Sequence, residues 1–199
     1  MKNKIILILA TLGSGLLFGN NELNTISNKN FLYASVGTSS IEVSNTIKNN
    51  KIINKNFLDN TGEMIDFGAG IDHNQNIFST VGVSFTSLDL VDIKDFYATV
   101  NYKFKYKSLT PYVGLLAGYS HLSWLTKPYT LDESIKSNSD KLTLGLQAGI
   151  KQKISEDISF VGQYQFLKYG HNLVIKNENV GKLSHNYAHK FLVGVQYGI

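Results

Sequence analysis

Residues able to do chemistry are few in this chain of 199 residues, and the densest group is His121-Leu122-Ser123, followed by Asp132 and Glu133. In an extended strand the first and third residues of such a tripeptide project from the same face, because side chains alternate with a period of two. An imidazole placed that way takes the proton of a serine hydroxyl while a carboxylate on its other ring nitrogen fixes its orientation, the logic of an acyl-transfer nucleophile. A second pair, His185 and His189, has a spacing that would bring two histidines to one metal on a helix. In a strand the same spacing separates them by about 13 Å, too far to share one ion. The chain has no cysteine, so disulfides, thiolate metal sites and acylation of an N-terminal cysteine are excluded. It contains no Gly-rich phosphate loop, nucleotide fingerprint or metal-ligand cluster, and neither a metal nor a cofactor is expected. The basic residues behind the net charge of +4 are scattered, which gives nucleic acid no surface to bind.

What these residues do depends on the elements that carry them. Lys2 and Lys4 precede an apolar run over 5–18 and then the polar Gly19-Asn20-Asn21-Glu22. This is the layout of a secretory signal peptide, and the run is too short to cross a bilayer as a helix, which takes about 20 residues. Cleavage after Gly19 is expected, with Leu17 departing from the small-x-small pattern. That divides the chain into a signal peptide (1–19), an N-terminal periplasmic segment (20–30) and one domain (31–199). The composition of that domain points to strands: 12% aromatic and 17% charged overall, with 17 glycines against 2 prolines.

Eight stretches alternate with a period of two: 31–40, 63–72, 77–86, 96–107, 111–124, 141–151, 158–167 and 187–199. In 96–107, Phe96, Ala98, Val100, Tyr102, Phe104 and Tyr106 alternate with Tyr97, Thr99, Asn101 and three lysines. In 141–151, Leu142, Leu144, Leu146, Ala148 and Ile150 oppose Thr143, Gly145, Gln147, Gly149 and Lys151. One face is apolar; the other is small and polar and suits a narrow hydrated interior. Phe67, Val83, Val100, Leu144 and Val195 are expected to face lipid. The connections at 73–76, 107–110 and 155–157 are short, whereas 41–62, 126–140 and 168–186 are long, with 87–95 the shortest at that end. Such alternation of short and long connections is the habit of outer-membrane barrels, with the long ones outside the cell. The fold class expected is therefore all-β: an eight-stranded antiparallel up-and-down transmembrane β-barrel after a cleaved signal peptide, located in the bacterial outer membrane. A soluble sandwich or lipocalin-like barrel is the alternative.

Aromatics near strand ends would form two interfacial girdles: Phe104, Tyr106, Phe160 and Tyr197 at the short-turn end, and Phe85, Phe96, Tyr119, Trp124 and Tyr187 at the other. Lys103, Lys105, Lys151 and Lys190, with Asp66 and Asp72, share the inward register. In so narrow a barrel they are expected to plug the interior rather than line a pore.

The C-terminal run, His189 to Ile199, resembles the signal read by the barrel assembly machinery, through Gly194, Tyr197 and the terminal Ile199. With the signal peptide and eight strands, the chain resembles the small outer-membrane barrel group that includes the OmpA N-terminal barrel, the OmpX and Ail proteins and the opacity adhesins. That resemblance implies a monomer in contact with outer-membrane lipid and lipopolysaccharide. It also implies a structural, adhesive or surface-interaction role carried by external loops, toward a host or cell-surface ligand, without enzymatic activity and with no catalytic residue. A small porin is one alternative. The other comes from His121 and Ser123, whose spacing is similar to the active site of outer-membrane lipid A deacylases. Trp124 stands where that family has Asn, and His121 and Ser123 are expected to serve as polar residues of the outer interface.

Overall fold

The computed structural model describes residues 29–47, 61–88, 91–104, 109–124, 138–175 and 181–199. The expected signal peptide and the segment before Lys29 lie outside the described residues. Eight strands follow in order: β1 (Lys29–Ile47), β2 (Thr61–Asp72), β3 (Ile77–Ser87), β4 (Val91–Lys103), β5 (Leu109–Trp124), β6 (Asn138–Lys153), β7 (Ile158–Ile175) and β8 (Gly181–Gly198). Each pairs antiparallel with the next, and β1 pairs with β8, so the sheet closes on itself. Closure removes both sheet edges and satisfies the backbone within the sheet, as a hydrocarbon environment demands.

The alternation sets the sides. Leu32, Val36, Phe67, Val100, Leu115, Leu142, Leu144, Leu146, Val193 and Val195 stand exposed around the outside, and Val83 shares their register across from Phe67 and Phe96. The expected girdle residues Phe104, Phe160 and Tyr197 lie exposed at the short-turn end, and Phe85 and Phe96 at the other. Tyr106 falls outside the described residues. Trp124 departs from expectation. It shares the inward register of Leu122 and packs on the interior cluster and on His185, ring centroids 4.9 Å apart, so it caps the interior and is no girdle residue. Ile71 and Ser79, in the outward register, are also buried; Ser79 is hydrogen-bonded to His73 of the adjoining turn at 2.7 Å.

Most strands outrun their expected lengths at the loop end. β1 has 19 residues and β7 and β8 have 18 each, against the 9–11 or so that cross a bilayer. Within this extension the polarity reverses. Ile41, Leu88, Val91, Ile93, Leu122, Leu167, Tyr169 and Ala188 point inward and are buried together, while Glu42, Glu63, Ser87, Lys94 and Asp140 are exposed. The wall beyond the lipid band is thus built like a water-soluble protein, and each fully buried aliphatic chain contributes about 1.5–3 kcal/mol. We call it the collar. It corrects the connections: β4 begins at Val91 rather than at 96, β3 and β4 are joined through 88–90 rather than 87–95, and much of 168–186 is strand. Near its top β8 shifts register against both neighbours, between Ile41 and Val43 of β1 and between Lys168 and His171 of β7. Gly170 takes φ 70° at the second shift, a conformation that suits a residue lacking Cβ.

The interior is not uniformly small. Phe31, Phe78 and Tyr112 stack across it toward the turn end, with centroid separations of 6.1 and 5.1 Å, and Tyr33, Tyr97 and Tyr169 fill it higher up. Glycines opposite make the room. A Cβ at Gly149 would run into the Tyr112 ring, whereas one at Gly162 would meet nothing within 4 Å. Gly149→Ala is therefore expected to cost about 1–3 kcal/mol through overpacking. Gly162→Ala should stay within about 0.5 kcal/mol of the parent. Urea unfolding in lipid vesicles measures both.

Candidate functional site

Among the described residues, polar side chains gather toward the loop end both inside the cylinder and outside it. The inner cluster is built around Lys190 and Asp95. Their side chains are 1% and 5% exposed and form an ion pair of 2.6 Å. Lys190 Nζ also donates to Ser84 Oγ at 3.1 Å, and Tyr169 donates its hydroxyl to the same Asp95 oxygen at 2.8 Å. One layer down, Tyr97 donates to Asp66 at 2.6 Å and pairs with the Tyr33 hydroxyl at 2.9 Å. Thr80, Thr99, Asn101, Gln147 and Gln165 continue as a chain of hydrogen bonds across the barrel. At the turn-end mouth Lys103 bonds Asp72 at 2.5 Å, with Lys151 at 4.0 Å from the same carboxylate. The cavity left beside Tyr33, Tyr112 and Gln163 measures about 40 Å³, room for a few waters. The expected charge network is present, with two differences. Asp95, expected at the end of a connection, is the acid that holds Lys190. Lys105 lies outside the described residues.

The outer cluster lies on β5 and β6. His121 and Ser123 share the outward face, with Leu122 between them fully buried inside. Antiparallel pairing puts Asp140 of β6 directly beside His121. His121 Nδ1 lies 2.6 Å from Asp140 Oδ1, and His121 Nε2 lies 3.1 Å from Ser123 Oγ. Because an ionised carboxylate only accepts, the Nδ1 proton points at Asp140, and in the neutral imidazole Nε2 then presents its lone pair to the serine hydroxyl. Tyr119, next along the outward face, pairs in register with Leu142 of β6, two residues from Asp140. Both His121 and Asp140 keep about a third of their side-chain surface open, 36% and 32%. On the other flank the register partners are Lys94 for His121 and Asp92 for Ser123.

Asp132 and Glu133, the carboxylates singled out after Ser123, lie outside the described residues. The acid that reaches His121 is Asp140, expected at the end of a connection. Only cross-strand register identifies it, since nothing in local spacing links positions 121 and 140. His185 and His189 end on opposite faces because the register shift intervenes. His185 is buried beside Trp124, whereas His189 lies outward and bonds the Tyr164 hydroxyl at 2.7 Å. In the C-terminal run, Tyr197 and Ile199 stand exposed at the turn end, and Gly194 lies close against Ser35 and Ala34 of β1.

No family model matches the chain, and no curated protein matches it. Solved structures do. Neisserial surface protein A matches over 83% of this chain and 96% of its own, with a TM-score of 0.58 and 14% identity. The chain has the fold of the small outer-membrane β-barrels. OprG of Pseudomonas aeruginosa matches over 86% of this chain and 96% of its own, with a TM-score of 0.53 and 15% identity. A major outer membrane protein of Thermus thermophilus matches over 87% and 100%, with a TM-score of 0.50 and 14% identity. At such identities the likeness concerns the fold, a transmembrane barrel of eight strands.

Proposed function

We propose that the protein resides in the bacterial outer membrane, after removal of residues 1–19, as a non-conducting surface protein whose connections at the loop end meet a host surface, another cell or lipopolysaccharide. The observation that carries this reading is the filled interior. An ion crossing the barrel would have to part the buried Lys190–Asp95 pair and the Tyr33–Tyr97–Asp66 cluster beneath it, and stripping a partner from a buried charge costs several kcal/mol. A closed interior leaves the outer surface and the loop end for contact with partners. Of the long connections expected at 41–62, 126–140 and 168–186, the parts left between strands, within 48–60, 125–137 and 176–180, lie outside the described residues. Gly194, Tyr197 and Ile199 serve the assembly machinery in this reading.

Planar-bilayer recording of the purified full-length protein is expected to show no conductance steps. Discrete steps that persist in the parent would favour a small porin. Cells displaying the protein should adhere to lipopolysaccharide-coated or host-cell-coated surfaces, and shortening 48–60 should reduce that adherence while the barrel still assembles. Adherence unaffected by shortening any of the three connections would remove the loop-borne role.

A further inference from the structure

We propose that Asp140, His121 and Ser123 form a nucleophilic relay that hydrolyses a fatty acyl oxyester of an amphiphile in the surrounding membrane leaflet. This goes beyond a surface role and departs from the expectation that His121 and Ser123 are merely interfacial. A purely interfacial histidine needs neither a carboxylate on Nδ1 nor a hydroxyl on Nε2. Here both are in place, at 2.6 and 3.1 Å, in the order that leaves the basic nitrogen facing the serine.

The substrate class follows from where the relay sits. His121 and Ser123 occupy the outward face at the level where the wall changes from apolar to polar. Immediately turn-ward, Tyr119 lies between Phe96 and Leu142, and Leu142, Leu144 and Leu146 continue down β6 as an exposed apolar column. An acyl chain lying along that column brings its ester to the height of Ser123 and its headgroup to the height of the collar. A water-soluble ester has no use for such a seam. Lys94, beside His121 and exposed, offers a cation to an anionic headgroup. Asn138, the register partner of Ser123, is exposed on the other side and offers an amide N–H to the ester oxygen.

In the acylation step Ser123 Oγ attacks the ester carbonyl as its proton passes to His121 Nε2. The tetrahedral oxyanion then collapses, the acyl–oxygen bond to the headgroup breaks, and the departing alkoxide takes that proton and leaves as an alcohol. Water next attacks the acyl-serine, with His121 again as base. The products are a fatty acid and free Ser123, so the sum is ester plus water giving acid plus alcohol. Fatty acyl oxyesters occur in lipopolysaccharide and in glycerophospholipid, and both present the same chemistry to the site.

The test uses full-length protein purified in detergent, folded as judged by its heat-modifiable gel mobility. It is mixed with lipopolysaccharide or reconstituted into vesicles of phosphatidylethanolamine and phosphatidylglycerol, and released fatty acid is measured by mass spectrometry. The parent should release fatty acid from one of these two lipids, and which one names the source. Ser123→Ala and His121→Ala should lower the rate by about 10³-fold or more, and Asp140→Asn by up to about 10⁴-fold. A fluorophosphonate probe should label the parent at Ser123, identified by peptide mass, and should not label Ser123 in His121→Ala. Release from neither lipid by folded parent, or release unchanged in folded Ser123→Ala, would overturn the proposal.

Discussion

Lys190→Met is expected to destabilise the folded barrel by about 3–5 kcal/mol, because it strands the buried Asp95 carboxylate without its cation. Asp95 keeps its bond from the Tyr169 hydroxyl, but a neutral donor offsets only part of the cost of burying a charge. The double variant Lys190→Met, Asp95→Leu removes both charges and is expected to recover most of the loss, since an apolar pair of similar volume often replaces a buried ion pair without penalty. Chemical unfolding in lipid vesicles reads both values. The single tryptophan, Trp124, packs on the same interior cluster that holds Tyr169 and supplies the fluorescence signal. A loss under about 1 kcal/mol for Lys190→Met would mean that water reaches the collar interior and solvates Asp95.

Height along the outer face decides the second large effect. Val100→Arg and Leu144→Arg put a guanidinium among residues 57% and 65% exposed to the membrane, and each is expected to cost about 2–4 kcal/mol if it lies near the midplane. Glu42→Arg, on the outward side of the collar, should cost about 0–1 kcal/mol. The same unfolding assay compares all three. Equal costs for Leu144→Arg and Glu42→Arg would show that the reversal of polarity along the strands does not mark the edge of the lipid.

Alternation in 96–107 and 141–151 made the membrane-crossing part of the barrel readable, because there a greasy outward face opposes a polar inward one. The collar escaped for the same reason. Val91 and Ile93 alternate with Asp92 and Lys94 in the opposite sense, and Leu167 and Tyr169 with Lys168, so a pattern of one polarity breaks off at each reversal. Asp95 adjoins that reversed stretch, whereas Lys190 and Asp66 stand within the regular alternation as interior charges. Large inward aromatics such as Phe31 and Phe78 contradicted the picture of a small, polar lumen, since their fit depends on glycines of neighbouring strands. His121 and Ser123 were legible as a pair because strand parity is local. Asp140 was not, because pairing register belongs to two strands at once. The His185 and His189 pair misled in another way: the register shift between them moves one to the inside and the other to the outside.

The collar also acts as a depth stop. Sinking the barrel by one residue pair would draw Lys94, His121 and Asp140 toward hydrocarbon, and lifting it by the same amount would wet Phe96 and Leu142. Successive outward residues on one strand are separated by about 7 Å, so immersion is fixed to within that distance. A bilayer of different thickness then has to stretch or thin around the cylinder, at a cost of a fraction of a kcal/mol for each ångström of mismatch. The lipids adjust to the protein, and Ser123 stays level with the same stratum of the leaflet whatever the membrane's composition.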